Sequence, residues 1–128
     1  MKRTLFLSIL IVVFTTSFLF IVPSVFSASN ISPEDAINHM GQQATVCGNV
    51  ASTHFSFRTK GQPTFINLNR PYPNQIFTVL IWGSDRRKFP SAPENYYSNK
   101  RICVSGKIKE FRGAPEIVVR NPSQIREQ

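Results

Sequence analysis

The sequence predicts a small all-β domain, and three observations lead to that expectation. After residue 43 there are five short segments with strand character, and in three of them, residues 44–50, 101–109 and 116–120, inward and outward residues alternate with a period of two. These segments are rich in β-branched and aromatic residues, which favour strands. The stretches between them contain the proline, glycine and asparagine residues that are typical of turns. About 100 residues are enough for one domain with a modest core.

The five predicted strands are short and are separated by turns or loops. They cover residues 44–50, 65–68, 77–82, 101–109 and 116–120. Residues 52–62 are predicted to form a long polar and aromatic loop, and Gly113 is expected to supply a positive φ in the last hairpin. Five strands with the longest break between the third and fourth fit a small Greek-key barrel. An SH3-like barrel or an open sandwich fits the spacing nearly as well.

A short helix is predicted before the strands, within residues 28–40. Ser32 is a suitable N-cap and Pro33 a suitable first helical residue, and two acids follow in the first turn. Gly41 is expected to end this helix. The domain itself is therefore expected to span residues 41–125.

Residues 1–27 are predicted to be a signal peptide. Lys2 and Arg3 precede an uncharged, largely apolar run at residues 5–22, and the residues around Ser27 suit signal cleavage. The run is also just long enough to cross a bilayer as a helix, so an uncleaved membrane anchor is the alternative. We expect a secreted or periplasmic protein that contacts a membrane only through an uncleaved N-terminal segment.

The expected mature domain is strongly basic. Without Lys2 and Arg3, 13 lysines and arginines stand against seven acids, which leaves a net charge of +6. Such a charge favours anionic partners, namely nucleic acid, anionic lipid or acidic polysaccharide. Solubility alone is the alternative explanation.

Four sequence phrases carry a family resemblance. They are residues 46–50 (Val-Cys-Gly-Asn-Val), 61–68 (Gly-Gln-Pro-Thr-Phe-Ile-Asn-Leu), 77–82 (Phe-Thr-Val-Leu-Ile-Trp) and 104–119. These phrases resemble the OB-fold nucleic-acid-binding domains, above all small bacterial ones that occur alone behind a signal sequence or beside a secreted nuclease domain. The Phe-Ile-Asn-Leu phrase is also similar to the second strand of anticodon-binding OB domains in aminoacyl-tRNA synthetases, where the matching aromatic residue stacks on a base. The resemblance implies a five-stranded OB-fold barrel.

The same resemblance implies a disulfide. The first and fourth strands of an OB barrel are antiparallel neighbours, and alternation places Cys47 and Cys103 on their outward faces. Directly opposed residues have Cα atoms about 4.5–5.5 Å apart, which a disulfide tolerates. Export would supply the oxidising compartment. Two unpaired thiols are the alternative.

The resemblance also implies where a ligand would lie. The binding face of an OB barrel combines aromatic side chains with a basic groove, flanked by the loops between strands one and two and between strands four and five. Phe65 and Asn67 lie on this face if the alternate residues of their strand point into the core. The predicted nucleic-acid-binding residues are Phe55, Phe57, Arg58, Lys60, Phe65, Asn67, Lys109, Phe111 and Arg112. Packing within the first loop is the alternative role of Phe55 and Phe57.

We do not expect catalysis. His39 and His54 are the only histidines, and neither has a carboxylate or nucleophile partner at a recognisable spacing. The sequence contains no glycine-rich phosphate loop and no metal-ligand motif. We expect a non-enzymatic binding module without cofactor or metal that binds single-stranded DNA or RNA with low sequence specificity. The alternatives are an exported protein- or glycan-binding domain and an accessory subunit whose partner is a secreted nuclease.

Overall fold

The computed structural model describes residues 21 and 29–128, so the predicted signal peptide or anchor at residues 1–27 lies outside the described residues except for Ile21. Six strands are present in the described chain: β1 (Gln43–Phe55), β2 (Thr64–Leu68), β3 (Thr78–Ile81), β4 (Arg101–Phe111), β5 (Ala114–Val118) and β6 (Ile125–Glu127). Their order is β1-β2-β3-β5-β4-β6, and β1 also pairs with β4. The first five strands therefore close into the predicted OB-fold barrel, and β6 is a short addition on β4.

Two long strands close the barrel because each pairs with two other strands of the barrel. The first half of β1 pairs with β4 and its second half with β2, with an irregularity between Val50 and Ser52. In the same way, β4 pairs first with β1 and then with β5. Gly106 lies just before β4 changes partner, where a Cβ atom would stand 2.7 Å from Cγ2 of Ile117. A side chain at this position would collide with the core.

The first strand is longer than predicted. Residues 52–55 were predicted to begin a polar loop, but they continue β1 and pair with β2, and the loop is limited to residues 56–63. The prediction is wrong here because Ser52 and His54 lie on an uncovered face of the sheet. Polar residues on such a face mark its exposed side and not the end of the strand.

The interior of the barrel is mainly aliphatic. Its fully buried side chains include Ile66, Val79, Val104, Ile108 and Ile117, together with the aromatic ring of Phe77. The connection between β3 and β4 contains two one-turn helices, α1 (Gly83–Arg86) and α2 (Pro93–Tyr96). Phe89 and Tyr97 from this connection belong to the core, and their rings contact each other edge to face with centroids 6.3 Å apart.

The predicted short helix before the barrel is present as a 3₁₀ helix at Ala36–His39. The hydroxyl of Ser32 accepts a hydrogen bond from the backbone N–H of Asp35 at 3.2 Å, in the turn that leads into it. None of the helices in the described part of the chain is long and apolar enough to span a membrane.

Cys47 and Cys103 form the expected disulfide. They are directly opposed in the pairing of β1 with β4, with Cα atoms 4.0 Å apart. Their chain neighbours Val46 and Val104 point into the barrel core, so the disulfide lies on the outward face of the two strands, where Cys47 and Cys103 are nevertheless buried. It bridges the pair of strands that closes the barrel.

Candidate functional site

One face of the sheet is uncovered, and the strand register decides which side chains line it. His54 on β1 lies opposite Phe65 on β2. A second row crosses five strands in the order Ser52, Asn67, Thr78, Glu116 and Lys109. Directly opposed residues point to the same face, so the two rows form one continuous surface.

This surface is the floor of a groove of about 660 Å³. The connection between β2 and β3 contributes Tyr72 and Gln75 to its wall, and the hairpin between β4 and β5 contributes Phe111 and Arg112. The volume lies within the range of roughly 300–1,000 Å³ that is usual for small-molecule sites. The groove can therefore hold a small molecule or a short segment of a longer chain.

Three aromatic rings of the groove are accessible. Phe65 lies partly exposed in the floor, Tyr72 is 74% exposed and Phe111 is 50% exposed. Accessible rings around one concave surface are suited to contact flat, apolar faces of a ligand. Tyr72 was not predicted from the sequence, because its position in a proline-containing turn does not show which way the turn folds.

The polar side chains of the floor form a hydrogen-bonded chain. Thr78 Oγ1 donates to Asn67 Oδ1 at 2.8 Å, and Asn67 Nδ2 donates to Ser52 Oγ at 2.9 Å. The backbone N–H of Tyr72 donates to the same Ser52 oxygen at 3.0 Å. Asn67 is only 4% exposed. The Ser52 hydroxyl thus ties the connection that carries Tyr72 to the sheet, and the Asn67 amide holds that hydroxyl in place. The predicted contact of Asn67 with a ligand stays a prediction.

Glu116 is an acid in the middle of this floor. Glu116 is 7% exposed. Its carboxylate forms no hydrogen bond or ion pair with a described residue. Burial raises the pKa of its carboxyl group, and the positive charge of Lys109 acts in the opposite direction. Gln75 Oε1 is also buried without a hydrogen-bond partner. The groove therefore holds two acceptor groups, the Glu116 carboxylate and Gln75 Oε1, that form no hydrogen bond with the described chain.

Basic side chains stand at one end of the groove. Lys109 and Arg112 are exposed, and neither pairs with an acid among residues 29–128. Arg112 and Gly113 have φ angles of 50° and 81°, as a two-residue type I′ hairpin requires, so the positive φ expected of Gly113 is present. The guanidinium carbon of Arg112 lies 5.2 Å from the ring centroid of Phe111. A cation and an aromatic ring are thus presented together at the rim.

The other predicted residues form a separate group, which we call the loop cluster: Phe55, Phe57, Arg58 and Lys60. Phe55 is the last residue of β1 and not part of the loop, and its place in the strand turns it away from the face of His54. The guanidinium of Arg86 lies 4.0 Å above the Phe55 ring, and the Phe57 ring lies 6.5 Å from it. The structure thus brings Phe65, Asn67, Phe111 and Arg112 together in the groove, with Lys109 at its end, and leaves the loop cluster outside.

The basic segment at residues 86–88 is largely neutralised within the protein. Arg86 donates two hydrogen bonds to the carboxylate of Glu94, at 2.8 and 3.1 Å. Lys88 donates to Asp85 at 2.8 Å. Among the described residues, no group of three or more His, Cys, Asp or Glu is arranged to hold a metal ion.

The strand order and the groove define this chain as an OB-fold domain. No protein-family model and no curated protein matches its sequence. Its structure is similar to asparaginyl-tRNA synthetase from Pyrococcus horikoshii, with a TM-score of 0.52 and 12% identity over 78% of this chain. It is also similar to aspartyl-tRNA synthetase from Entamoeba histolytica, with a TM-score of 0.51 and 14% identity over 80% of this chain.

The similarity concerns one part of much larger proteins. The chain spans 23% of the Pyrococcus synthetase and 22% of the Entamoeba synthetase. At this level of identity the likeness shows a shared fold. It confirms the OB fold that the Phe-Ile-Asn-Leu phrase at residues 65–68 suggested.

Proposed function

We propose that this protein is a non-enzymatic OB domain that binds single-stranded nucleic acid in the groove described above, outside the cytoplasm. One observation carries the proposal: three accessible aromatic rings line the same concave surface, and at its end stand two basic side chains that form no ion pair in the described part of the chain. Stacking platforms beside a basic rim are the combination with which OB folds hold single strands. The tRNA synthetases that share the fold act on an RNA, which supports the same class of ligand.

The rings favour a single strand over a duplex. A stacked base contributes about 1–3 kcal/mol, but only if its face is free to meet the ring. In a duplex these faces are covered by the neighbouring base pairs. Since every base has a face of this kind, stacking on Phe65, Tyr72 and Phe111 would tolerate most sequences, and we expect a low overall sequence preference.

The basic side chains would contact phosphate groups. Lys109 and Arg112 are exposed and form no ion pair with residues 29–128, so they can neutralise phosphates without first breaking a pair within that part of the chain. Each phosphate neutralised on a single strand changes the slope of log affinity against log salt by about −0.7. Binding should therefore weaken as the salt concentration rises.

Two features support a location outside the cytoplasm. The basic start and apolar run of residues 1–22 have the composition of an export signal or anchor. The disulfide between Cys47 and Cys103 is a type of bond that persists in oxidising compartments. The nucleic acid would then be extracellular or periplasmic material, either DNA or RNA.

Fluorescence anisotropy with a labelled single-stranded oligonucleotide at two salt concentrations tests the proposal. We expect binding that weakens with salt, and a loss of about 5- to 150-fold in affinity for Phe65→Ala, which equals about 1–3 kcal/mol. Phe57→Ala is the matched control, because it removes an exposed ring, 60% accessible, outside the groove. Absence of binding at low salt, or preferential binding of an acidic polysaccharide, would contradict the proposal.

A further inference from the structure

Unsatisfied hydrogen-bond acceptors in the groove point to a more specific ligand contact. Asn67, Thr78 and Ser52 satisfy one another in the floor. The carboxylate of Glu116 and Oε1 of Gln75 do not have such partners among the described residues. A buried acceptor without a donor is costly, and in a binding site a ligand can supply the donor.

On the basis of the proposed function, we propose that Glu116 makes the groove select guanine at one nucleotide position. An ionised carboxylate only accepts hydrogen bonds. The Watson–Crick edge of guanine presents two adjacent donors, N1–H and the N2 amino group, whose spacing matches the two oxygens of a carboxylate. Uracil and thymine present one N–H between two carbonyl oxygens, and adenine and cytosine present an amino group beside an acceptor nitrogen. Guanine is thus the one base with two donors for Glu116.

The order of side chains along the strands places stacking surfaces on both sides of this carboxylate. Glu116 lies in the row that crosses the sheet from Ser52 to Lys109. The row that contains Phe65 is the next one along the strands in one direction. Phe111, which lies opposite Ala114, belongs to the row on the other side. A base that stacks on either ring can therefore direct its edge toward Glu116. The exposed cations Lys109 and Arg112 lie next to this position, where they can hold the phosphates that flank the base.

A cationic peptide would be the other ligand able to supply donors to Glu116. The charge of the domain argues against it, because residues 29–128 carry a net charge of +6 and would repel a basic segment. Accessible aromatic rings and a basic rim are better matched by a nucleobase and its phosphates. We therefore assign the position to guanine.

The test compares four labelled oligothymidines by anisotropy with the full chain: one unaltered, and three with a single guanine, hypoxanthine or adenine at the centre. A single guanine avoids the self-assembly of guanine-rich strands. We expect the guanine strand to bind about 5- to 150-fold more tightly than the unaltered strand, the range that one bidentate base contact supports. Hypoxanthine keeps N1–H but lacks the amino group, so its strand should lie between them.

The variant Glu116→Gln should abolish most of the guanine preference, and a circular dichroism spectrum that matches the wild-type protein shows that the variant is folded. Glu110→Gln is the matched control, because Glu110 lies opposite Pro115 on the same hairpin and faces away from the groove. Equal affinities for all four strands, or an unchanged guanine preference in Glu116→Gln, would overturn the guanine assignment and leave the proposed function standing. Failure of every strand to bind would overturn the proposed function itself.

Discussion

Glu116 on β5 and Lys109 on β4 occupy directly opposed positions, but Glu116 is buried and Lys109 is exposed. Burial raises the pKa of the Glu116 carboxyl more than the charge of Lys109 lowers it. The domain thus keeps an acid at the centre of its groove although its own packing disfavours the charged form. A perturbed carboxyl group in a cleft, beside a specific charged partner, is a pattern typical of functional sites.

The first prediction concerns stability. Because the pKa of Glu116 is raised in the folded state, its contribution to stability is fully present below the unfolded pKa of about 4.5 and is lost as the pH rises through the folded pKa. Glu116→Gln, which stays neutral, should therefore raise the free energy of unfolding near pH 7 by roughly 0.5–2 kcal/mol, a common size for stabilising substitutions.

Thermal unfolding followed by circular dichroism checks this prediction. The difference between Glu116→Gln and the wild-type protein should disappear in acid, where the glutamic acid is itself neutral. The control Glu110→Gln should show no such gain near neutral pH, because Glu110 is exposed. A loss of stability in Glu116→Gln near pH 7 would show that the charged carboxylate has a stabilising partner.

The second prediction concerns Arg112, whose φ of 50° is strained for an arginine. Asparagine adopts this conformation readily, so Arg112→Asn should raise the free energy of unfolding by a few tenths of a kcal/mol to about 1 kcal/mol. The same change should weaken oligonucleotide binding and reduce the salt slope by about 0.7.

Urea unfolding and a salt series of anisotropy titrations measure the two effects of Arg112→Asn. Arg58→Asn removes the same charge from the loop cluster and should leave the salt slope nearly unchanged. If Arg58→Asn proved the more damaging of the two variants, the phosphate contacts would lie on the loop cluster and not at the groove.

The third prediction concerns the disulfide. Cys47 and Cys103 are separated by 56 residues, and a cross-link over a loop of this size contributes about 4 kcal/mol in the chain-entropy model. Replacing both cysteines by alanine should lower the free energy of unfolding by up to that amount, measured by urea unfolding. Reductant should have the same effect on the wild-type protein and none on the variant. Alkylation of both thiols before reduction would contradict the bond itself.

The fourth prediction concerns Tyr72. Its ring is 74% exposed at the groove wall, and its backbone is fixed by Ser52. Tyr72→Ala should weaken oligonucleotide binding by about 5-fold or more through loss of one stacked base. Tyr72→Phe keeps the ring and should retain the affinity. An equal loss in both variants would indicate that the hydroxyl group, and not stacking, makes the contact.

The sequence predicted the positions of the strands well from their alternation and their β-branched residues, whereas the choice of an OB barrel over an SH3-like barrel or an open sandwich came from the family resemblance of its phrases. That alternation also placed Cys47 opposite Cys103 once the strand order was assumed, and it turned Phe65 toward the groove. The end of β1 was missed for the same reason, since residues 52–55 carry polar side chains on the uncovered face. The strand β6 has three residues, too few to show a period.

The candidate site was only partly predictable. Tyr72 and the loop cluster lie in or beside turns, where tertiary packing decides the direction of a side chain. In the sequence, no pattern distinguishes Glu116 from the other acidic residues. Its alternation with the buried Ile117 does place it on the uncovered face, but only the pairing with Thr78 and Lys109 shows that this is the floor of the groove.

Chemical-shift mapping of backbone amides during titration with a single-stranded oligonucleotide tests most directly whether the strand lies in the groove. We expect the largest changes on β2, β3 and β5 and in the hairpin at residues 111–113, with little change in residues 57–60. Changes confined to residues 57–60 and α1, with β2 and β5 unaffected, would contradict binding in the groove.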